Sequence, residues 1–580
     1  MSVKNGTLVL SFVDITKVFW YGLKMDLAAT GYLLLLPGLA LVFTPLVSNR
    51  IFMLFVHSYT LLFSIFLSSV TIIDLELFRH WGYRLDITPF RYIGRDTLSS
   101  SAPSTVILQS LSIVFLVFFT LLLYRFLTKK IVAKFNSPSW KYSPVFLLAT
   151  SFLILPIRGG LDVSPMNIGT VFFHKKNPFA NLAAINLFWN FGDSITKAIE
   201  TNKYPENLIE KAEVDQVVQE LYRDKGKTEI IIKDTPNVIL LILESFTAKI
   251  IEPLGGMAGV TPEINALCKE GILFDNFYAS GSRTDKGIIS ILSAYPAQPK
   301  SSIITYTQKS EKLPKLTHSF IEQGYYTTFI YGGNTNFANI NAYLAMSNFD
   351  NIISKNDFPS ELSTSKWGIH DHIIFDSAFT YQLSTQQPFF TSILSLSSHE
   401  PFDVPLRTPF YGNSEEQLYL NSAYYTDREV GKFINQLKNS LLWDNTLIII
   451  TADHGTRHPH NTMAHEREKY KIPMLWLGGA LKKQGVVTTK YASQTDIAAT
   501  LLTQLQLNSS QFTYSKNILS EGSSSFSFYA YNNGFGFIGD STDVIYDLNT
   551  NKTITEDNNF TELKRAKAYM QSVFSDFNKK

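Results

Sequence analysis

Hydrophobic positions fall into two regimes along this chain. Up to about residue 176 they form long, nearly uncharged runs: Leu27 to Ser48, Ile51 to Ile73, Thr105 to Tyr124 and the shorter Tyr142 to Ile157. Runs of about twenty apolar residues cross a bilayer as helices, so the pattern predicts four spans. Residues 8–23 are also apolar, but Asp14 and Lys17 interrupt them. They predict an interfacial segment, or the trace of a helix upstream of this start. None of the runs reads as a cleaved signal peptide, because the first begins late and others follow.

From about Asn177 to Lys233 the chain turns polar. Pro205 to Arg223 carries mixed charges with apolar residues at helical spacing, which predicts a helix with the proline in its first turn. Lys225-Gly226-Lys227 breaks it. Past Asp234, apolar strands alternate with amphipathic helices, as in an α/β sandwich with a central, mostly parallel sheet. From about Ser509 the alternation Ser525-Phe-Ser-Phe-Tyr-Ala-Tyr, a turn at Asn532-Asn-Gly and a helix near Thr561 to Phe577 predict an antiparallel addition. The expected organisation is therefore a transmembrane domain (1–176), a helical linker (177–233), a catalytic domain (234–508) and a C-terminal piece (509–580).

Charge orients the membrane half. Arg125, Lys129, Lys130, Lys134 and Lys141 crowd the connection between the third and fourth runs, with no acidic residue among them. In the preceding connection Arg79, Arg84, Arg91 and Arg95 are balanced by Asp74, Glu76, Asp86 and Asp96. The positive-inside rule puts the uncompensated loop in the cytoplasm and everything after the fourth run on the outer side. The mean hydropathy of +0.03 is an average over the two regimes. The formal net charge of +2 argues neither for nor against a polyanionic partner, and nucleic acid is not among the expected partners. The single cysteine, Cys268, excludes an intramolecular disulfide and a multi-cysteine zinc site. It reads as a small apolar residue of the helix around Ile264 to Glu270.

Chemistry gathers at strand ends. Asn237-Val-Ile-Leu-Leu-Ile-Leu ends in Glu244-Ser245, and Thr446-Leu-Ile-Ile-Ile-Thr-Ala ends in Asp453-His454-Gly455. Near-continuous aliphatic runs suit strands buried on both faces, and open α/β sheets bind ligands beyond the carboxyl ends of such strands. Between them Thr284 opens an apolar helical stretch, Ile288-Ile-Ser-Ile-Leu. A hydroxyl there either caps the helix, or is a nucleophile favoured by the helix dipole and a nearby cation. His399 follows the strand-like Phe389-Phe-Thr-Ser-Ile-Leu-Ser-Leu.

These segments, in order, resemble the lipoteichoic acid synthase group of membrane phosphoglycerol transferases, within the alkaline phosphatase/sulfatase superfamily. The resemblance rests on Asn237-Val…Leu-Glu244-Ser245, Phe274-Asp-Asn-Phe-Tyr278, Thr284 before a helix, Trp367-Gly368, Ser398-His399-Glu-Pro-Phe402, Asp453-His454-Gly455 and Gln494-Thr-Asp-Ile497. It implies that Glu244, Thr284, Asp453 and His454 hold a metal, with Thr284 also the nucleophile. His399 then contacts the phosphate or leaving group. Trp367, Arg457 and His458 enter as substrate neighbours, with His460 and His465 further candidates. His370-Asp371-His372 reads as the opening of a helix. Two carboxylates, an imidazole and an alkoxide suit one divalent ion of Mn²⁺ or Mg²⁺ character, with Zn²⁺ a third candidate. One departure stands out: Tyr331, before Gly332-Gly333-Asn334-Thr335-Asn336-Phe337, takes the place of a family histidine, and no arginine follows Phe337. The transferred headgroup is left open by that change.

The expected function is transfer of a phospho-headgroup from a membrane phospholipid to an extracytoplasmic glycan or polymer, through a phosphothreonine. The expected location is a bacterial plasma membrane, with the catalytic domain facing the periplasm or exterior. A sulfatase is the nearest rival, but Ser282-Arg283-Thr284-Asp285-Lys286 lacks the Cys/Ser-x-Pro-x-Arg context that its formylglycine needs. A phosphoethanolamine transferase, a phosphodiesterase and a non-catalytic membrane sensor are the remaining alternatives.

Overall fold

The computed structural model describes residues 10–81, 84–85, 103–135, 139–161, 165–174, 178–200, 205, 207–224, 226–406, 409–540, 542–554 and 559–580. Asp86, Arg91, Arg95 and Asp96 of the balanced loop, and Lys225 of the predicted helix break, lie outside them. The chain divides into two compact units, Met1–Asn202 and Lys203–Lys580.

The first unit is built on four apolar stretches long enough to cross a membrane: Phe12–Val42, Asn49–Glu76, Ile107–Val132 and Trp140–Arg158. Side chains such as Phe115, Phe118 and Leu108 are exposed on these helices, as expected for surfaces that meet lipid. The fourth stretch is two helical pieces, Ser143–Ser151 and Ile154–Arg158. Residues 12–23 do not form a separate interfacial segment; they continue unbroken into the first long helix. Asp14 does not interrupt it because its carboxylate is used at the helix start. Ser11 Oγ accepts the Asp14 N–H at 3.1 Å while Asp14 Oδ2 accepts from Ser11 N at 3.1 Å, a reciprocal capping box.

The second unit contains, in chain order, β1 (Asn237–Leu243), β2 (Ile272–Phe274), β3 (Phe277–Tyr278), β4 (Tyr326–Tyr331), β5 (Asn351–Ile353), β6 (Phe389–Leu394), β7 (Thr446–Ala452), β8 (Met474–Leu477), β9 (Val486–Thr488), β10 (Ala492–Ser493), β11 (Phe526–Tyr531), β12 (Gly534–Gly539), β13 (Asp543–Asp547) and β14 (Lys552–Thr553). Eight of them form one sheet in the order β5-β4-β6-β1-β7-β8-β2-β9. β5, β4, β6, β1 and β7 are mutually parallel, and β8 runs against both its neighbours. Every residue of β1, β6 and β7 is buried, which is why β1 and β7 read as near-continuous aliphatic runs. Helices Pro262–Glu270, Asp371–Ser384 and Glu415–Lys438 pack around this sheet.

Pro205 is not in the first turn of a helix. The helix is Lys211–Leu221, and the residues ahead of it have other partners. Leu208 and Ile209 donate their N–H groups to Gln571 Oε1 at 2.7 and 2.9 Å, so a C-terminal side chain takes up backbone that a longer helix would use. Gln571 belongs to helix Phe560–Lys579, which covers the antiparallel sheet β11-β12-β13-β14. The tail joins the core close to Thr284: Ala530 N donates to Ser280 O at 2.8 Å.

Candidate active site

Register brings the strand-end groups together. β1 pairs with β7 so that Leu243 faces Ala452, and Glu244 and Asp453 therefore leave adjacent strands at one level. Ser245 then adopts a left-handed backbone, φ 54°, which is strained for a non-glycine residue. That turn aims its N–H at Asp453 Oδ1 (2.8 Å), while its hydroxyl donates to Glu244 Oε1 (2.9 Å). His454 N also donates to Asp453 Oδ1, at 2.7 Å. The other oxygen, Oδ2, is buried without a hydrogen-bond partner among the described residues. His454 Nδ1 lies 2.9 Å from Gly455 O and donates to it, which leaves Nε2 to face the two carboxylates. Nε2 is 3.5 Å from Asp453 Oδ2 and 3.6 Å from Glu244 Oε1.

Ligand-type atoms of Glu244, Asp453 and His454 lie within 4.8 Å of one another. A carboxylate oxygen without a hydrogen bond among the described residues, an imidazole nitrogen and a second carboxylate converging on one point fit a divalent ion. Electrostatics agree with strong mutual coupling. Burial, then the Glu244 charge, pushes Asp453 up to about 8. Burial opposes protonation of His454, but Asp453 and Glu244 raise it to about 9. Glu244 is raised by burial and lowered further by His454 and His399, ending at about 2.

Thr284 is the first residue of helix Thr284–Leu292, and Arg283 occupies the cap position without a side-chain cap. The hydroxyl of Thr284 therefore does not cap the helix; it donates to Glu244 Oε2 at 3.2 Å. Gly287 allows this approach, since a Cβ there would lie 2.0 Å from Asp453 O. Gln494 braces the same junction: Nε2 donates to Ala452 O and Asp453 O at 2.8 and 2.7 Å, and Oε1 accepts from Ser280 N at 2.9 Å. Its part was not legible beforehand, because nothing in a Gln-Thr-Asp string shows which carbonyls it will meet.

A cleft of about 430 Å³ opens over the group, lined by Glu244, Thr284, His399, His454, Arg457 and His458 among others. His399 Nδ1 donates to Glu400 O at 2.9 Å, which leaves its Nε2 free of that bond. Trp367 backs His399, with ring centroids 4.3 Å apart, and donates Nε1–H to the same carbonyl at 2.6 Å. Asp371, the first residue of helix Asp371–Ser384, accepts from Leu396 N (2.7 Å) and Thr426 Oγ1 (2.7 Å), anchoring the loop that carries His399. Arg457 forms an ion pair with Glu415, whose Oε1 is also 3.2 Å from His458 Nε2. His460 offers its backbone N–H to Glu416 (2.9 Å), and His465 its carbonyl to Tyr529 (2.7 Å). Tyr331 ends β4 with its ring over Gly333, where a Cβ would lie 2.4 Å from Cζ. Burial and then Glu244 push its hydroxyl well above the ordinary value.

The fold is similar to that of solved proteins of the alkaline phosphatase superfamily. A protein of that superfamily from Vibrio parahaemolyticus superposes with a TM-score of 0.57 at 22% identity, over 64% of this chain and 97% of that one. The lipoteichoic acid synthase LtaP from Listeria monocytogenes superposes at 0.52 and 18% identity, over 64% and 98%. Residues 236–507 match the family described as Sulfatase. Among curated proteins, lipoteichoic acid synthase 2 of Bacillus subtilis is 27% identical over 49% of this chain and 47% of its own length. Lipoteichoic acid synthase of Staphylococcus aureus (strain USA300) is 26% identical over 46% and 44%. The chain spans about half the length of the curated relatives it matches.

Proposed function

We propose that this chain is a membrane-anchored, metal-dependent phosphotransferase. It would move a phospho-headgroup, phosphoglycerol or a close analogue, from a phospholipid to an extracytoplasmic glycan or polymer. One observation carries the reading: the Thr284 hydroxyl is not spent on its helix but is held at 3.2 Å on Glu244 Oε2, inside the Glu244–Asp453–His454 group. Similarity to lipoteichoic acid synthases supports the class of donor and acceptor.

A divalent ion held by Glu244, Asp453, His454 and Thr284 supplies positive charge that favours the ionised threonine and offsets phosphoryl charge. Mn²⁺ or Mg²⁺ suits this donor set, with Zn²⁺ a third candidate. Thr284 gives up its proton along the hydrogen bond to Glu244, and Oγ1 attacks the donor phosphorus. The bond from phosphorus to the diacylglycerol oxygen breaks, and His399 Nε2 supplies the proton that oxygen takes up. The phospho-headgroup is then on Thr284. In the second half His399 takes the proton of an acceptor hydroxyl, which attacks phosphorus; the bond from phosphorus to Thr284 Oγ1 breaks, and that oxygen takes back the proton held by Glu244. Arg457 and His458 contact the headgroup, and Trp367 keeps His399 in place.

The membrane half, 1–176, holds the catalytic domain, 234–508, near its lipid donor and so raises effective concentration. We place the chain in a bacterial plasma membrane with that domain outside the cytoplasm, the segments 177–233 and 509–580 serving as linker and C-terminal addition.

The test is the intact mass of the full-length chain after incubation with Mn²⁺ and vesicles of phosphatidylglycerol or, separately, phosphatidylethanolamine. A headgroup phosphate mapped to Thr284 is the expected product, and its mass names the group. Thr284→Ala should lose at least about a thousandfold in turnover while remaining folded and inserted. An unmodified Thr284 under every lipid would overturn the proposal.

A further inference from the structure

Lys249 lies outside the cleft lining, in a short 3-10 turn that follows Glu244 and Ser245. Its ammonium is half-buried and donates to three oxygens of one loop: Arg457 O at 2.9 Å, Pro459 O at 3.0 Å and Thr462 Oγ1. An ammonium has three donors, and all three are used here. The loop they hold is strained. His460 and Asn461 both adopt left-handed backbone, φ 73° and 49°, a conformation that is unfavourable for a non-glycine residue and persists only where surroundings impose it. The loop closes on itself through Thr462 N to Arg457 O at 2.9 Å. Helix Glu415–Lys438 grips the other side, where His460 N donates to Glu416 and Glu415 meets Arg457 and His458. The two side chains the loop carries into the cleft are Arg457 and His458.

We propose that Lys249 is a positioning residue: it clamps loop 457–462 in its strained form and so fixes Arg457 and His458 at the cleft wall. This rests on the reading of the cleft as a phospholipid headgroup site. Lys249 follows the strand that ends in Glu244, and the loop follows the strand that ends in Asp453. The clamp therefore ties the headgroup wall to the same two strand exits that carry the metal-type ligands. Its action is on ground-state grip rather than on the phosphorus.

Charge makes the clamp sensitive to pH. Burial, and next Lys469, bring Lys249 down to about 8 against the opposing pull of Glu416, Glu466 and Glu468. Above that pH the amine keeps two donors for three acceptors, and the loop loosens.

The experiment compares the full-length chain with its Lys249→Met variant in Mn²⁺ and phosphatidylglycerol vesicles. Three measurements are made: KM and kcat across pH 7 to 9, bound Mn²⁺, and backbone hydrogen exchange. Loss of charged hydrogen bonds predicts a KM about tenfold higher at pH 7, with kcat within about twofold and Mn²⁺ unchanged. Exchange should rise at His460 and Thr462 and stay fixed in β1 and β7. The KM of the unsubstituted chain should climb above pH 8, and that of the variant should not. An unchanged KM overturns the inference. So does exchange raised evenly across β1 and β7, which marks a merely structural lysine, or lost Mn²⁺, which places Lys249 with the metal group. If the unsubstituted chain turns over neither lipid, the proposed function fails, while exchange at His460 and Thr462 still decides whether Lys249 holds the loop.

Discussion

Thr284 sits where a threonine commonly spends its hydroxyl on backbone, and here it does not. Arg283 takes the cap position, so Oγ1 is left to Glu244. Glu244 and its neighbours Asp453 and His454 compete for protons as well as for a cation. Asp453 is pushed up to about 8 and His454 to about 9, so an arriving ion has to displace protons from both. Lowering the pH fills those positions with protons, and raising it through about 8 to 9 empties them. Mn²⁺ affinity should therefore be higher at pH 8.5 than at pH 6.5, with protons released on binding. Titration calorimetry in buffers of different ionisation enthalpy measures both, and an affinity indifferent to pH would remove the coupling. That Glu244, Asp453 and His454 meet at one place was legible in sequence, because each stands at the end of an aliphatic run and the ends of neighbouring parallel strands lie together. Lys249 was not legible. Its partners Arg457, Pro459 and Thr462 are distant in sequence, and two of its three acceptors are backbone carbonyls that any residue types could supply.

At the scale of elements, the site is a junction of two strand ends and one helix start. Parallel pairing of β1 with β7 is legible as two aliphatic runs, but the register that faces Leu243 with Ala452 is set by packing of the whole sheet. The helix Thr284–Leu292 reaches the junction because Gly287 leaves room for Asp453 O. Gly287→Ala would put a methyl carbon 2.0 Å from that oxygen, and the helix must shift. A displacement of Thr284 on the ångström scale predicts a loss of about a hundredfold in turnover. The overpacking itself should cost about 1–3 kcal/mol of stability. Turnover and thermal unfolding of the variant, measured together, check this; full activity would show that the helix has room to spare. The first long helix teaches the reverse lesson. Asp14 read as an interruption in the sequence, yet paired with Ser11 it is the helix's own start signal. A charge at a helix end and a charge inside a span look alike until the boundary is known.

For the molecule as a whole, orientation follows from loop charge. The connection holding Arg125, Lys129, Lys130, Lys134 and Lys141 is predicted to be cytoplasmic. With four spans in the membrane, everything after the fourth is then outside. Accessibility tags at Ser139 and Lys580 should report opposite sides of the membrane in intact cells, and finding both on one side would reverse the assignment. The tail belongs to the catalytic unit in a direct way, since Ala530 donates to Ser280 and Gln571 takes up the N–H groups of Leu208 and Ile209. Alternation and a terminal helix were enough to anticipate the tail's elements, not where they dock.

The sequence by itself determined the division into an apolar helical half and an α/β half, and which carboxylates and imidazole stand at the ends of the aliphatic strands. Both are local properties, written in hydrophobic period and in the residue that ends each run. Only the tertiary structure decided that Thr284 turns its hydroxyl to Glu244, that Asp453 Oδ2 has no hydrogen bond among the described residues, and that Lys249 gathers three oxygens of a distant loop. These are choices of partner among groups far apart in the chain. They are settled by which atoms the packed sheet brings within hydrogen-bond reach.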